Sequence, residues 1–102
     1  MILVMGELQL AAGGAVAVRR LLADHACACS AEEGCDLYAF SFDAANPDLI
    51  RVSERWASVE ALAAHGVAPH QKAFGRALRE HPIERMSVKA WDGAFWRTLV
   101  GN

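Results

Sequence analysis

Glu54-Arg55-Trp56-Ala57-Ser58-Val59-Glu60-Ala61-Leu62-Ala63-Ala64-His65 reads as a strand that runs straight into a capped helix. Glu54 and Trp56 lie two apart and so share one strand face. Ser58 is a good N-cap, and Glu60 sits in the first turn, where a negative charge is favourable. Gly66 after His65 suits the position just beyond a helix end. Pro69 then suits the first position of a second helix, and His70 follows it. Two imidazoles and an indole are thereby expected around one short connection.

Working outward, Ile2 to Leu10 alternates, with Ile2, Val4, Leu8 and Leu10 on one face and Leu3, Met5, Glu7 and Gln9 on the other. It is a strand with one fully apolar face. Gly13-Gly14 breaks it. From Ala15 to about Ser30, Val18, Leu21, Leu22, His25 and Cys29 fall on one helical stripe, with Arg19, Arg20 and Asp24 outside. His25 belongs to the buried stripe or its edge. Glu32-Glu33-Gly34 is a turn. Cys35 to Phe42 places Tyr38, Phe40 and Phe42 at period two, a strand. Asn46-Pro47-Asp48 turns the chain, and Leu49 to Trp56 completes a hairpin. His70, Phe74 and Leu78 form one stripe of the helix that Pro69 opens. Ile83 to Trp91 is the last strand. The apolar tail with Phe95, Trp96, Leu99 and Val100 is expected to dock on a second copy of the chain.

The order is β-α-β-β-α-β with a split second helix, so the fold class is α+β, a ferredoxin-like antiparallel sheet. The 102 residues form a single domain, residues 1–102. The composition is 54% hydrophobic and only 22% charged, apolar for a small domain with much surface. Helices on one sheet face leave the other bare, and a homodimer that stacks the bare faces would cover it. A net charge of −2 with no basic stripe argues against a nucleic-acid partner. No signal peptide and no stretch of roughly 18 apolar residues is present, so no membrane partner and a cytoplasmic location are expected. The odd cysteine count, Cys27, Cys29 and Cys35, reads as free thiols. Cys27 and Cys29 point about 200° apart on a helix, so His25, Cys27, Cys29 and Cys35 are not expected to form a metal site.

Glu33-Gly34-Cys35-Asp36-Leu37-Tyr38, the Glu54–His65 stretch, and Pro69-His70 with Phe74 together resemble the antibiotic biosynthesis monooxygenase family, over roughly Ile2 to Trp91. The resemblance implies a dimeric α+β barrel and cofactor-independent oxidation of a quinol or polycyclic phenol by O2. It also implies a small aromatic substrate and no cofactor. The absence of dinucleotide and P-loop motifs agrees with this. Haem-degrading members carry an asparagine on the first strand. Here asparagine occurs only at Asn46 and Asn102, so that branch loses its support.

Such chemistry needs a base, a dry cavity and donors for an anionic oxygen. Histidine titrates in the working range. His65 is the first candidate base, against a reading in which it only caps its helix. His70 is the second, against a solvent-facing residue. Trp56 is read as a pocket wall or a core residue. Tyr38, Phe40 and Phe74 are candidates to hold an aromatic ring, with the sheet interface as the other use of Tyr38 and Phe40. Glu54, buried beside Trp56, would need a partner such as Arg76, and structural pairing weighs above catalysis. Trp91 and Trp96 read as interface anchors. Two further functions remain open on this scaffold: a non-oxidative isomerase or cyclase, and a small-molecule binding protein without turnover.

Overall fold

The computed structural model describes all of residues 1–102. Its elements run β1 (Ile2–Leu10), α1 (Gly14–Ser30), β2 (Cys35–Phe42), β3 (Leu49–Trp56), α2 (Val59–Gly66), α3 (Pro69–Leu78) and β4 (Ile83–Asp92). The four strands form one antiparallel sheet in the order β2-β3-β1-β4. This is the ferredoxin-like α+β arrangement that the hydrophobic periods dictate. Alternation along β1 is strict: Ile2, Val4, Leu8 and Leu10 are buried, while Leu3 and Met5 are exposed.

The helices cover one face through two packed patches. Leu8, Leu10, Ala15, Val18, Leu22, Ile50 and Leu78 make one. Ile2, Val4, Cys29, Tyr38 and Trp56 make the other, and Phe40 packs against both. The start of α1 has no side-chain cap of its own. Asp48, from the β2–β3 turn, supplies it: its carboxylate accepts from the Gly13 and Ala15 amides, each at 3.2 Å. An anion at this helix end also meets the positive pole of the helix dipole.

One local expectation is revised: Gly66, expected just beyond the end of α2, is the last helical residue and has no left-handed backbone. The turn closes instead through the Val67 and Ala68 amides, which donate to Ala64 O and His65 O. Proline at position 69 then fixes the new helix at once. The tail after β4 is exposed along Phe95, Trp96, Leu99 and Val100, and is held to the sheet only where Met1 and Gly93 exchange backbone hydrogen bonds at 2.8 and 3.0 Å.

Gly34 turns the chain from the end of α1 into β2. Its φ is +80°, and a Cβ there would lie 2.6 Å from Ala61 Cβ. Its carbonyl accepts from the Ala57 amide at 2.8 Å, which docks the turn on the start of α2. Gly34→Ala is expected to cost roughly 2–3 kcal/mol, combining the left-handed backbone penalty with steric overlap. Urea denaturation measures it. Adding Ala61→Gly should recover the overlap and leave the backbone part.

Candidate functional site

Two neighbouring compartments lie between the sheet and the helices. The first is an apolar cavity of about 250 Å³. Tyr38, Phe40, Val52, Phe74 and Leu78 line it, and Glu54 and Gln71 are among its polar groups. Gly6 gives it depth, because a Cβ there would fall 2.8 Å from Val88 and 2.9 Å from Val52. Met86 and Val88 also line it and are 57% and 53% exposed, so β4 forms its open side.

Glu54 is 6% exposed. Its partner is not an arginine. The Trp56 indole N–H donates to Glu54 Oε1 at 2.8 Å, and no cation pairs with it. Arg76 lies in the last turn of α3, away from this contact. The expected ion pair is therefore replaced by a neutral donor two residues along the same strand. Burial pushes the Glu54 pKa up, and the Trp56 hydrogen bond and the charge of His65 only partly offset this. Trp56 itself is fully buried and does not line the cavity. It is the core residue that orients Glu54.

The second compartment is a polar cluster behind the cavity wall. Glu32, in the α1–β2 turn, accepts from His65 Nδ1 at 2.7 Å and from His70 Nε2 at 2.9 Å. Burial alone would raise the Glu32 pKa, but the two imidazole hydrogen bonds outweigh it and hold the carboxyl below its ordinary range. His65 is 4% exposed and packs on Trp56 with ring centres 4.8 Å apart. The candidate histidines thus converge on a glutamate that the sequence reading passed over as part of a turn.

His25 joins the same cluster as a third imidazole. It stacks on Phe74 at 3.8 Å with an interplanar angle of 2°. Its Nε2 lies 2.8 Å from Gln71 Oε1 and 3.3 Å from Cys29 Sγ. Burial is the main cause that lowers its pKa to about 4, against the Gln71 hydrogen bond, so it is neutral at physiological pH. Tyr38 stands edge-on to His25 at 5.6 Å and 5.5 Å from His65, and its pKa is driven up first by burial. Of the residues singled out in the sequence, Tyr38, Phe40, Phe74 and Glu54 meet at the cavity. His65 and His70 do not line it. His70 instead lines a groove between α1 and α3, with His25 and Phe74.

A split helix roofing an aromatic cavity on a four-stranded antiparallel sheet defines a class of small α+β domains. The family model for antibiotic biosynthesis monooxygenase matches residues 1–77, and the chain belongs to that family. Over 61 residues it is 38% identical to the Escherichia coli K12 protein named "Probable quinol monooxygenase YgiN", a match covering 52% of this chain and 59% of that relative. It therefore spans less than two thirds of the relative's length. A Deinococcus radiodurans structure described within the same family superposes with a TM-score of 0.92 at 27% identity, over 99% of this chain and 100% of that one. A Mycobacterium tuberculosis structure shares the fold with a TM-score of 0.83 at 22% identity, over 95% of this chain and 98% of that one.

Trp56→Phe keeps a buried ring and removes the indole donor. It should leave Glu54 without its hydrogen bond, at a cost of about 1–3 kcal/mol. Denaturation at pH 7 measures the loss, which should shrink in a Glu54→Gln background if the contact is its source.

Proposed function

We propose that the chain is a cofactor-independent monooxygenase that oxidises a quinol or phenol with O2 in the cavity beneath α3. The observation that carries this reading is an aromatic-walled cavity holding a buried carboxylate, in a member of a monooxygenase family. In this chemistry a base takes the hydroxyl proton. The resulting anion passes an electron to O2, and the radical pair recombines at ring carbon. One oxygen atom stays on the ring, the other leaves as water, and the quinol supplies the electrons as it becomes a hydroxyquinone. A dry pocket protects the anion and the peroxide from solvent.

Histidine was the base expected from sequence. The geometry favours Glu54, because it faces the cavity and burial makes it a stronger base than an ordinary carboxylate. Tyr38, Phe40 and Phe74 would hold the ring. A cavity of about 150 Å³ already accepts benzene, so the volume here suits one or two fused rings with the remainder at the open β4 side. The histidine reading retains one observation: His70 lines the α1–α3 groove beside Phe74, which would place the substrate there instead.

Oxygen uptake with reduced benzoquinones and naphthoquinones, corrected for autoxidation, separates these readings. Glu54→Gln is expected to lower kcat roughly 10²–10⁴-fold, the usual worth of a general base, while His70→Ala leaves most activity. The opposite ranking moves the base to His70. Saturable binding without uptake leaves a binder or an isomerase, and anaerobic turnover would identify the latter.

A folded-state carboxyl raised above its unfolded value binds its proton more tightly in the native state. Its stabilising contribution is present at acid pH and is lost as pH rises above the ordinary carboxylate range. Glu54→Gln should therefore be more stable than wild type at pH 7–8, and the advantage should vanish below about pH 4.

We also propose that a second copy covers the bare sheet face, where Leu3, Met5 and Trp91 are 40%, 59% and 48% exposed. Wild type should sediment at twice the 11.0 kDa chain mass. Met5→Asp, at an exposed position, should shift it toward the single-chain mass at micromolar concentration.

A further inference from the structure

The polar cluster has a composition that the proposed oxidation does not use. Cys29 Sγ, a Glu32 carboxylate oxygen, one nitrogen of His65 and one of His70 all lie within 4.8 Å of one another. We propose that these four atoms form a binding site for a divalent transition ion of the zinc class.

The donor set is a thiolate, a carboxylate and two imidazoles, the types that such ions take in tetrahedral sites. Its two anionic ligands neutralise a dication, so the loaded site carries no net charge into the interior. Tetrahedral bonds of about 2.0–2.3 Å place ligand atoms roughly 3.3–3.8 Å apart. The two imidazole nitrogens now stand 2.7 and 2.9 Å from one Glu32 oxygen. Admitting an ion thus requires those contacts to open by about half an ångström. An imidazole that coordinates the ion gives up its hydrogen bond to Glu32, the proton on that nitrogen passing to the other ring nitrogen or to solvent. The Cys29 thiol releases its proton to solvent.

The surroundings favour the same use. Cys29 is fully buried, so an ion bound to its sulfur would be shielded from solvent on that side. His25 Nε2, 3.3 Å from the sulfur, is placed to support a thiolate as outer-shell donors do. The ligands come from the end of α1, the turn after it, α2 and the first turn of α3. An ion would therefore tie together the segments that roof the cavity. The His70 side chain, 36% exposed, gives entry from the α1–α3 groove. Cys27 is exposed and takes no part.

The test is independent of turnover. Chelator-treated protein is titrated with Co2+ alone, then with Zn2+. Expected are one equivalent bound, tetrahedral visible bands, a thiolate-to-cobalt band in the near ultraviolet, and displacement of both by Zn2+. Cys29→Ser should lose the thiolate band, and Cys27→Ser should keep it. Loss of an outer-shell partner costs about 10–100-fold in affinity, so His70→Ala, which removes a ligand at a half-exposed position, should cost at least that. Zn2+ should raise the melting temperature of wild type and not of His70→Ala, which keeps the test decisive if Cys29→Ser folds poorly. A cobalt spectrum without a thiolate band, or one that survives in Cys29→Ser, overturns the site. So does equal binding by His70→Ala. Metal binding without quinol oxidation would sink the oxygenase reading and leave this one standing.

Discussion

Glu32 is the constraint on which the helical layer depends. Its carboxylate is shared by an imidazole from α2 and an imidazole from α3, two short helices separated by Val67 and Ala68. Helices of this length have little stability alone. Their docking comes from apolar burial and from this shared acceptor, which ties both helices to the turn after α1. Three polar side chains in a partly dry place would each be costly if unpaired. No buried side-chain polar atom in the chain lacks a hydrogen bond. The Gly34 turn sets the reach of Glu32, since it packs the end of α1 against Ala61 in the middle of α2.

Because the polar cluster is satisfied internally, the space on the other side of Tyr38 and Phe74 can stay apolar. The face-to-face stack of His25 on Phe74 is the partition between the two. A neutral imidazole stacks there without bringing a charge next to the cavity. Glu54 then faces that cavity with one indole N–H as its partner. A carboxylate with a full shell of donors would be a poor base, and one with none would be too costly to bury. One neutral donor lies between these limits.

The sheet was legible because period-two alternation follows directly from strand geometry, and in β1 the burial repeats the sequence pattern residue by residue. The hairpin and the split helix were legible through Asn46-Pro47-Asp48, Ser58 and Pro69, whose backbone preferences are local. The candidate site was legible only in part. Tyr38, Phe40, Glu54 and Phe74 reach the cavity because strand face and helix stripe dictate where they point. Glu32 was missed because a turn residue has no periodic face, and its partners lie 33 and 38 positions away. The partner of Glu54 was sought among arginines because charge suggests charge, although Trp56 shared its strand face two residues on. The signal that could have found Glu32 is chemical: two histidines converging on one connection need an acceptor. The same distance in sequence hides Cys29, Glu32, His65 and His70 as a set, since no motif spacing joins them.

What the single chain leaves open is the side of the cavity formed by β4. That strand is a sheet edge, and only Ile83 in it is even partly shielded. Met86 and Val88 pair in register with Leu8 and Gly6, so they lie on the helix-covered face, yet no helix extends over them. This is a separate exposure from the bare face of Leu3, Met5 and Trp91. A copy stacked on the bare face would cover those three residues without closing the cavity. An element that closed the cavity would have to come past the edge of β4, the strand from which the apolar tail with Phe95, Trp96 and Leu99 continues. An isolated edge strand also invites unwanted pairing, so covering it stabilises the fold and shuts the pocket together. The cavity is bounded by the sheet residues Gly6 and Val52 on one side and stays open beside Val88 on the other.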